Sequence, residues 1–211
     1  MVLTYRPSVL SYDQVRAKAN AFLDDYHPSF EAPVPIEEIV EFDLSMSIIP
    51  LVGLKQEIGV DAFLTNDLNH IYLDEWVMQF APTRARFSLA HEVAHWWLHD
   101  SLYKEATITS VAEWKELVNR IDAEAYKWFE WQANAFAGLV LVPEQSLRRA
   151  FARKSREAAQ LGVPLHRLEE YPARAALGRS LAGEFDVSEQ VMEIRLVKDN
   201  YLPPLRGEEL W

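Results

Sequence analysis

The chain has no cysteine among its 211 residues. That excludes disulfides, and it excludes any metal site built on thiolates. It also has no run of about 18 apolar residues, the length a membrane-spanning helix needs, so no helical span is expected. Basic charge is in deficit: 21 Lys and Arg stand against 32 Asp and Glu, for a net charge of −11. Nucleic-acid binders usually carry a basic footprint, so direct nucleic-acid binding is not expected. The acidic balance suits a basic partner, and it equally suits plain solubility. The first eight residues, Met1 to Ser8, hold no continuous apolar stretch of the kind a secretion signal needs. The expectation is a cytoplasmic protein, long enough for one domain with a sizeable core.

What the chain does have is His91-Glu92-Val93-Ala94-His95. This is an HExxH pattern, and its spacing carries a mechanism. On a helix, residues four apart share a face, so both imidazoles can reach one metal ion. Glu92 sits about 100° round the axis from His91. Its carboxylate then lies beside a metal-bound water, where it can act as general base. Chance is the competing explanation, and the local sequence argues against it. No Gly or Pro interrupts Thr83 to Asp100. Phe87, Ala90 and Ala94 recur at helical spacing, and Thr83 after Pro82 is expected to cap the helix.

A catalytic zinc takes three protein ligands and a water. His99, four residues beyond His95, shares the face but lies one further turn away, about 12 Å along the axis from His91. It reads as a histidine supporting a ligand, or as one at the helix C-terminus. The better third ligand is Glu130, in the apolar helical stretch Phe129 to Gly138. A carboxylate there is costly unless paired or metal-bound. The bland alternative is a solvated residue on an amphipathic helix, against which stand its neighbours Trp128, Phe129 and Trp131. Asn134 shares the face of Glu130 and can hydrogen-bond a ligating histidine. An oxyanion donor is also needed. Tyr126, His99, His70 and Arg120 are candidates; Tyr126, four before Glu130, is preferred.

Elsewhere the periodicity predicts helices over 12–26 and 36–42 and a β-like segment at Ser45–Leu51. Gly53 and Gly59 punctuate a loop. Short strands follow at Ala62–Leu64 and His70–Leu73, around the turn-rich Thr65–Asn69. These suggest a small antiparallel or mixed sheet packed on the zinc helix, with an edge on which an extended peptide can add as a strand. Helical patterns cover Val111–Val142, with a break near Asn119–Asp122, then 144–160, and two helices over 165–197 interrupted by Pro172. Arg148, Arg149, Arg153, Lys154 and Arg156 read as a solvated face of the 144–160 helix rather than a nucleic-acid patch. Val191, Ile194 and Arg195 superficially suggest a recognition helix, but Glu189 and Glu193 would face phosphates. The tail from Leu202 to Trp211 is expected to be extended.

Taken together, Arg86 to His95 continuing to His99, and Glu130 to Ala137 continuing through Pro143, resemble the ImmA/IrrE family of zinc metallopeptidases. His70–Leu73, Pro33–Ile39 and Leu181–Ser188 resemble weaker recurring stretches. The likeness covers roughly residues 12–200. Two features depart from the pattern: Ala94 stands where Gly is usual, and Ser101 to Phe129 is longer than in a minimal member. The resemblance implies an α+β, mostly helical, zincin-like domain over 1–145, with a small three-stranded sheet on the HExxH helix. A helical C-terminal extension, 146–211, packs on it. It implies a gluzincin-like site: one Zn²⁺ on His91, His95 and Glu130, with Glu92 as base. It further implies an endopeptidase that cleaves a basic helix-turn-helix repressor, derepressing mobile-element or stress-response genes. The rival reading is a zinc-containing module that docks on a repressor without significant proteolysis. An intact Glu92 argues against that, since a purely structural site needs no base.

Overall fold

The computed structural model describes residues 9–101, 110, 112, 113, 116, 119, 121–163 and 172–204. Helix α1, Tyr12–Tyr26, opens on a capping box in which Ser11 and Gln14 satisfy each other's backbone N–H groups. Val15, Ala19, Phe22 and Leu23 form its buried face. The chain turns at His27, before Pro28. Helix α2, Ile36–Glu38, runs on into a π-helical turn, Ile39–Asp43.

Three strands follow: β1 at Ser47–Leu51, β2 at Ala62–Leu64 and β3 at His70–Asp74. Their order is β1-β3-β2, with β1 parallel and β2 antiparallel to β3. The sheet is therefore mixed, and among the described residues no strand pairs with the outer edge of β2. Between β1 and β2 the structure departs from the expected loop. Gly53 and Gly59, both left-handed, bracket a short helix, α3, Leu54–Ile58. Their freedom at positive φ starts and stops that turn.

Asp74 caps a second unforeseen helix, α4, Glu75–Phe80. Helix α5 then runs Pro82–Leu98 and carries the HExxH pattern. Thr83 is not its cap. Pro82 occupies the first helical position, where its missing N–H costs nothing, and Ala81 precedes it. Helix α6, Ala123–Leu141, is capped by Asp122, which accepts from the amides of Glu124 and Ala125. Helices α7 (Glu144–Gln160), α8 (Ala173–Phe185) and α9 (Glu189–Lys198) complete the described chain. Most of the expected helical stretch 111–120, the start of the stretch at 165 and the tail beyond Pro204 lie outside the described residues.

The fold is thus α+β and mostly helical. The packing centres on α6, which lies against α5 on one side and α1 on another, with the sheet on α5. Phe22 meets both Trp97 and Phe136 edge-on, at centroid distances of 5.5 and 5.7 Å. Leu147, Leu181, Phe185, Met192 and Leu196 of the last three helices join the same core. Two buried arginines lock its ends together. Arg86 of α5 donates to the Val34 carbonyl at 2.6 Å and to Glu37 at 2.8 Å, and reaches the Asp186 carbonyl at 3.2 Å. Arg195 of α9 pairs with Asp199 at 2.7 Å, and Asp199 also takes Arg16 of α1 at 2.8 Å. Val191, Ile194 and Arg195 are buried, so α9 presents no recognition face through them. On α7, Arg148, Arg149, Arg153 and Arg156 are exposed, and Arg153 pairs with Glu184.

Candidate metal centre

The site is the meeting of one face of α5 with one face of α6. The four-residue spacing stacks His91 and His95 one turn apart, with Nε2 atoms 3.0 Å from each other. Across the interface, Glu130 brings Oε2 to 3.3 Å from His91 Nε2 and Oε1 to 3.7 Å from His95 Nε2. Ligands about 2.0–2.1 Å from a tetrahedral zinc stand about 3.3–3.4 Å from one another. The three observed separations lie near that value, the two to Glu130 through different oxygens of its carboxylate, so two imidazoles and a carboxylate stand close enough to share one ion. Glu92 also belongs to the cluster: one ligand atom each from His91, Glu92 and His95 lie within 4.8 Å of one another.

Surrounding groups fix the ring orientations. Asn134 Oδ1, one turn beyond Glu130 on α6, lies 3.0 Å from His91 Nδ1. That nitrogen donates to Asn134, so Nε2 is the one that faces Glu130. His99, the C-cap of α5, holds its Nδ1 3.1 Å from His95 Nδ1. With His95 donating, its Nε2 is likewise free to bind. His99 is buried, and Phe129 of α6 lies against both rings, 4.1 Å from His95 and 4.4 Å from His99. His99 therefore helps fix the orientation of the His95 ring.

Burial dominates the protonation of these groups. It pushes His95 well below the usual imidazole range, helped by the nearby charge of His91. His99 falls to about 4, again through burial. Both stay neutral, the form that binds metal. Burial would lower His91 too, but the hydrogen bond and charge of Glu130, with Glu92 and Asn134 assisting, push it up to about 9. Glu92 is raised by burial to about 7, against the pull of His91. Its Oε2 accepts the backbone N–H of Leu64, at 2.8 Å. That contact ties the carboxylate to β2, and nothing in the side chain of Leu64 announced it.

His91, Glu92, His95, Glu130 and Asn134 line a cavity of about 200 Å³. Val60, Phe87, Ile121 and Phe129 supply its apolar walls, and Ala62 brings in the edge of β2. Tyr126 also faces it and hydrogen-bonds Glu130; burial and that carboxylate push its hydroxyl well up, so it remains a donor. His70 is a correction. It does not line the cavity, and its Nδ1 is engaged by Asp67 at 3.0 Å on an exposed turn. Arg120 lies outside the described residues.

The family model for the IrrE N-terminal-like domain, a peptidase family, matches residues 56–197. The chain belongs to this family. The family is of metallopeptidase type, and the chain carries a His-Glu-His group that could hold a metal ion. No curated protein matches the chain at a significant level. Among solved structures, a Mycobacterium tuberculosis transcriptional regulator is similar with a TM-score of 0.50 and 16% identity, over 88% of this chain. The chain spans 46% of that protein's length, and the likeness is one of fold. No helix among the described residues is long and apolar enough to cross a membrane.

Proposed function

We propose that the chain is a zinc-dependent endopeptidase, with His91, His95 and Glu130 as ligands and Glu92 as general base. The observation that carries this reading is the convergence of both Nε2 atoms on the Glu130 carboxylate, beside a base anchored on a strand. Glu130 is preferred to Glu92 as the third ligand for two reasons. It meets both imidazole nitrogens, and Glu92 spends an oxygen on Leu64.

Bound there, zinc would polarise a peptide carbonyl and acidify the attacking water. Glu92 takes the proton from that water as it attacks, then gives it to the leaving amine. A carboxylate held near neutrality by burial suits both transfers. Tyr126 keeps its proton and can donate to the oxyanion developing on the substrate. The substrate lies extended beside Ala62, the β2 residue that lines the cavity.

The proposed substrate is a basic helix-turn-helix repressor, whose cleavage derepresses mobile-element or stress-response genes. The net charge of −11 supports a basic partner. The 1–145 portion is proposed as the zincin-like core and 146–211 as an extension packed on it, in a cytoplasmic protein that binds no nucleic acid itself.

The test is cleavage of candidate repressors by zinc-loaded protein beside Glu92→Gln. The variant should keep its zinc and lose about 10²–10⁴ in turnover. Wild-type turnover in the variant would remove Glu92 from the mechanism. Stoichiometric repressor binding without cleavage by the wild type would favour docking over proteolysis.

A further inference from the structure

A second hollow adjoins the first. It is bordered by Arg84, Phe87 and Ser88 of α5, Asn134 of α6, and Gln190 and Val191 of α9. Phe87, Ser88 and Asn134 line both spaces, as does Asp61, so the two are one continuous cleft. Residues 84, 87, 88 and 91 recur at helical spacing, which makes the cleft floor a single face of α5.

Two contacts hold β2 alongside this face. Glu92 accepts from Leu64 at one end, and Arg84 binds Asp61 at the other, through Nε and, at 2.9 Å, through Nη2. The ladder pairs Asp61 and Thr65 backbone groups with β3. By alternation, the backbone polar groups of Ala62 and Leu64 point away from β3; Glu92 takes the Leu64 N–H, which leaves the Ala62 backbone groups to a peptide in the cleft. A peptide added to this edge runs parallel to the line from His91 to Arg84. Seven helical residues at 1.5 Å span about 10 Å, and three extended residues at about 3.3 Å cover the same distance.

The charge at that far end is opposite in sign to the net charge of the chain. Asp61, the anion on this wall, is bound by two cations: Arg84, and Lys55 at 2.8 Å. The trio carries a net positive charge in a chain of net −11. Asn134 and Gln190 add amide donors; Asn134 has already committed its oxygen to His91. Phe87 and Val191 offer apolar surface for a methylene stem.

We propose that Arg84, with Gln190, forms a specificity subsite for an acidic side chain three residues from the scissile bond. It rests on the peptidase reading above, and it makes α9 a wall of the substrate cleft. A partner basic overall would be read at one acidic position.

Peptide hydroxamates test this, because the hydroxamate anchors the register at the metal. Two series carry Glu, Gln or Lys at the third residue, one extending to each side of the anchor. Acetohydroxamic acid, which has no third residue, reports the metal centre alone. Binding to zinc-loaded protein is measured by calorimetry. In one of the two series, Glu should bind about tenfold tighter than Lys. Arg84→Gln should erase that preference. Gln190→Glu, which disturbs no ion pair, should reduce it severalfold. If acetohydroxamic acid binds but neither series depends on the third residue, or if both variants keep the preference, the subsite is overturned. If acetohydroxamic acid itself fails to bind, the metal-centre reading falls and takes the subsite with it.

Discussion

At the residue scale, the candidate centre is held by hydrogen bonds that set which nitrogen of each histidine is free. His99 is the clearest case. Its buried ring holds Nδ1 3.1 Å from His95 Nδ1, which leaves His95 Nε2 to face Glu130. Outer partners of this kind typically cost 10–100-fold in metal affinity when removed. His99→Ala should therefore bind zinc about 10–100-fold more weakly in a chelator competition, while folding at room temperature. Unchanged affinity would show that the contact orients nothing. Much of this was legible in the sequence. Spacing alone brought out His91, Glu92 and His95, and a lone carboxylate in an apolar stretch pointed to Glu130. His70 was wrongly nominated because its partner, Asp67, is set by a hairpin turn that periodicity does not describe. The Leu64 amide was invisible because backbone donors leave no mark on residue identity.

At the element scale, α6 supplies both the carboxylate at the site and the apolar ridge against α1. Phe136 is fully buried there, edge-on to Phe22. Truncating such a ring loses transfer energy and leaves a cavity. Phe136→Ala should cost about 3–5 kcal/mol, read as a lower denaturant midpoint with the slope unchanged. A cost near zero would mean that α6 is not the centre of the core. Strong periodicity made α1, α5 and α6 readable as elements. The misses were short. Helix α3 has one turn between two left-handed glycines, and α4 has six residues. Neither is long enough for apolar spacing to separate a helix from a loop. The start of α5 shifted by two residues because a proline at the first turn outweighs a threonine's capping preference.

At the scale of the whole molecule, the last three helices share one core with the rest, and the family match runs across residue 145 without a break. The Arg16–Asp199–Arg195 cluster ties α1 to the C-terminal end of α9. Asp199 is almost wholly buried between two arginines; losing its charge strands Arg195, while Arg16 keeps Glu144. Asp199→Ala should destabilise the whole chain by about 3–5 kcal/mol in a single unfolding transition. Two separate transitions would instead indicate that the C-terminal helices unfold independently. Local periodicity could not have foreseen this cluster, since its members are brought together only by the tertiary fold.

The most direct test of the account is the zinc content of protein purified without chelators or a histidine tag, beside His95→Ala and Glu130→Ala. The account predicts about one zinc per wild-type chain, lost in both variants. No zinc in the wild type after loading, or full retention in both variants, would contradict a centre formed by His91, His95 and Glu130.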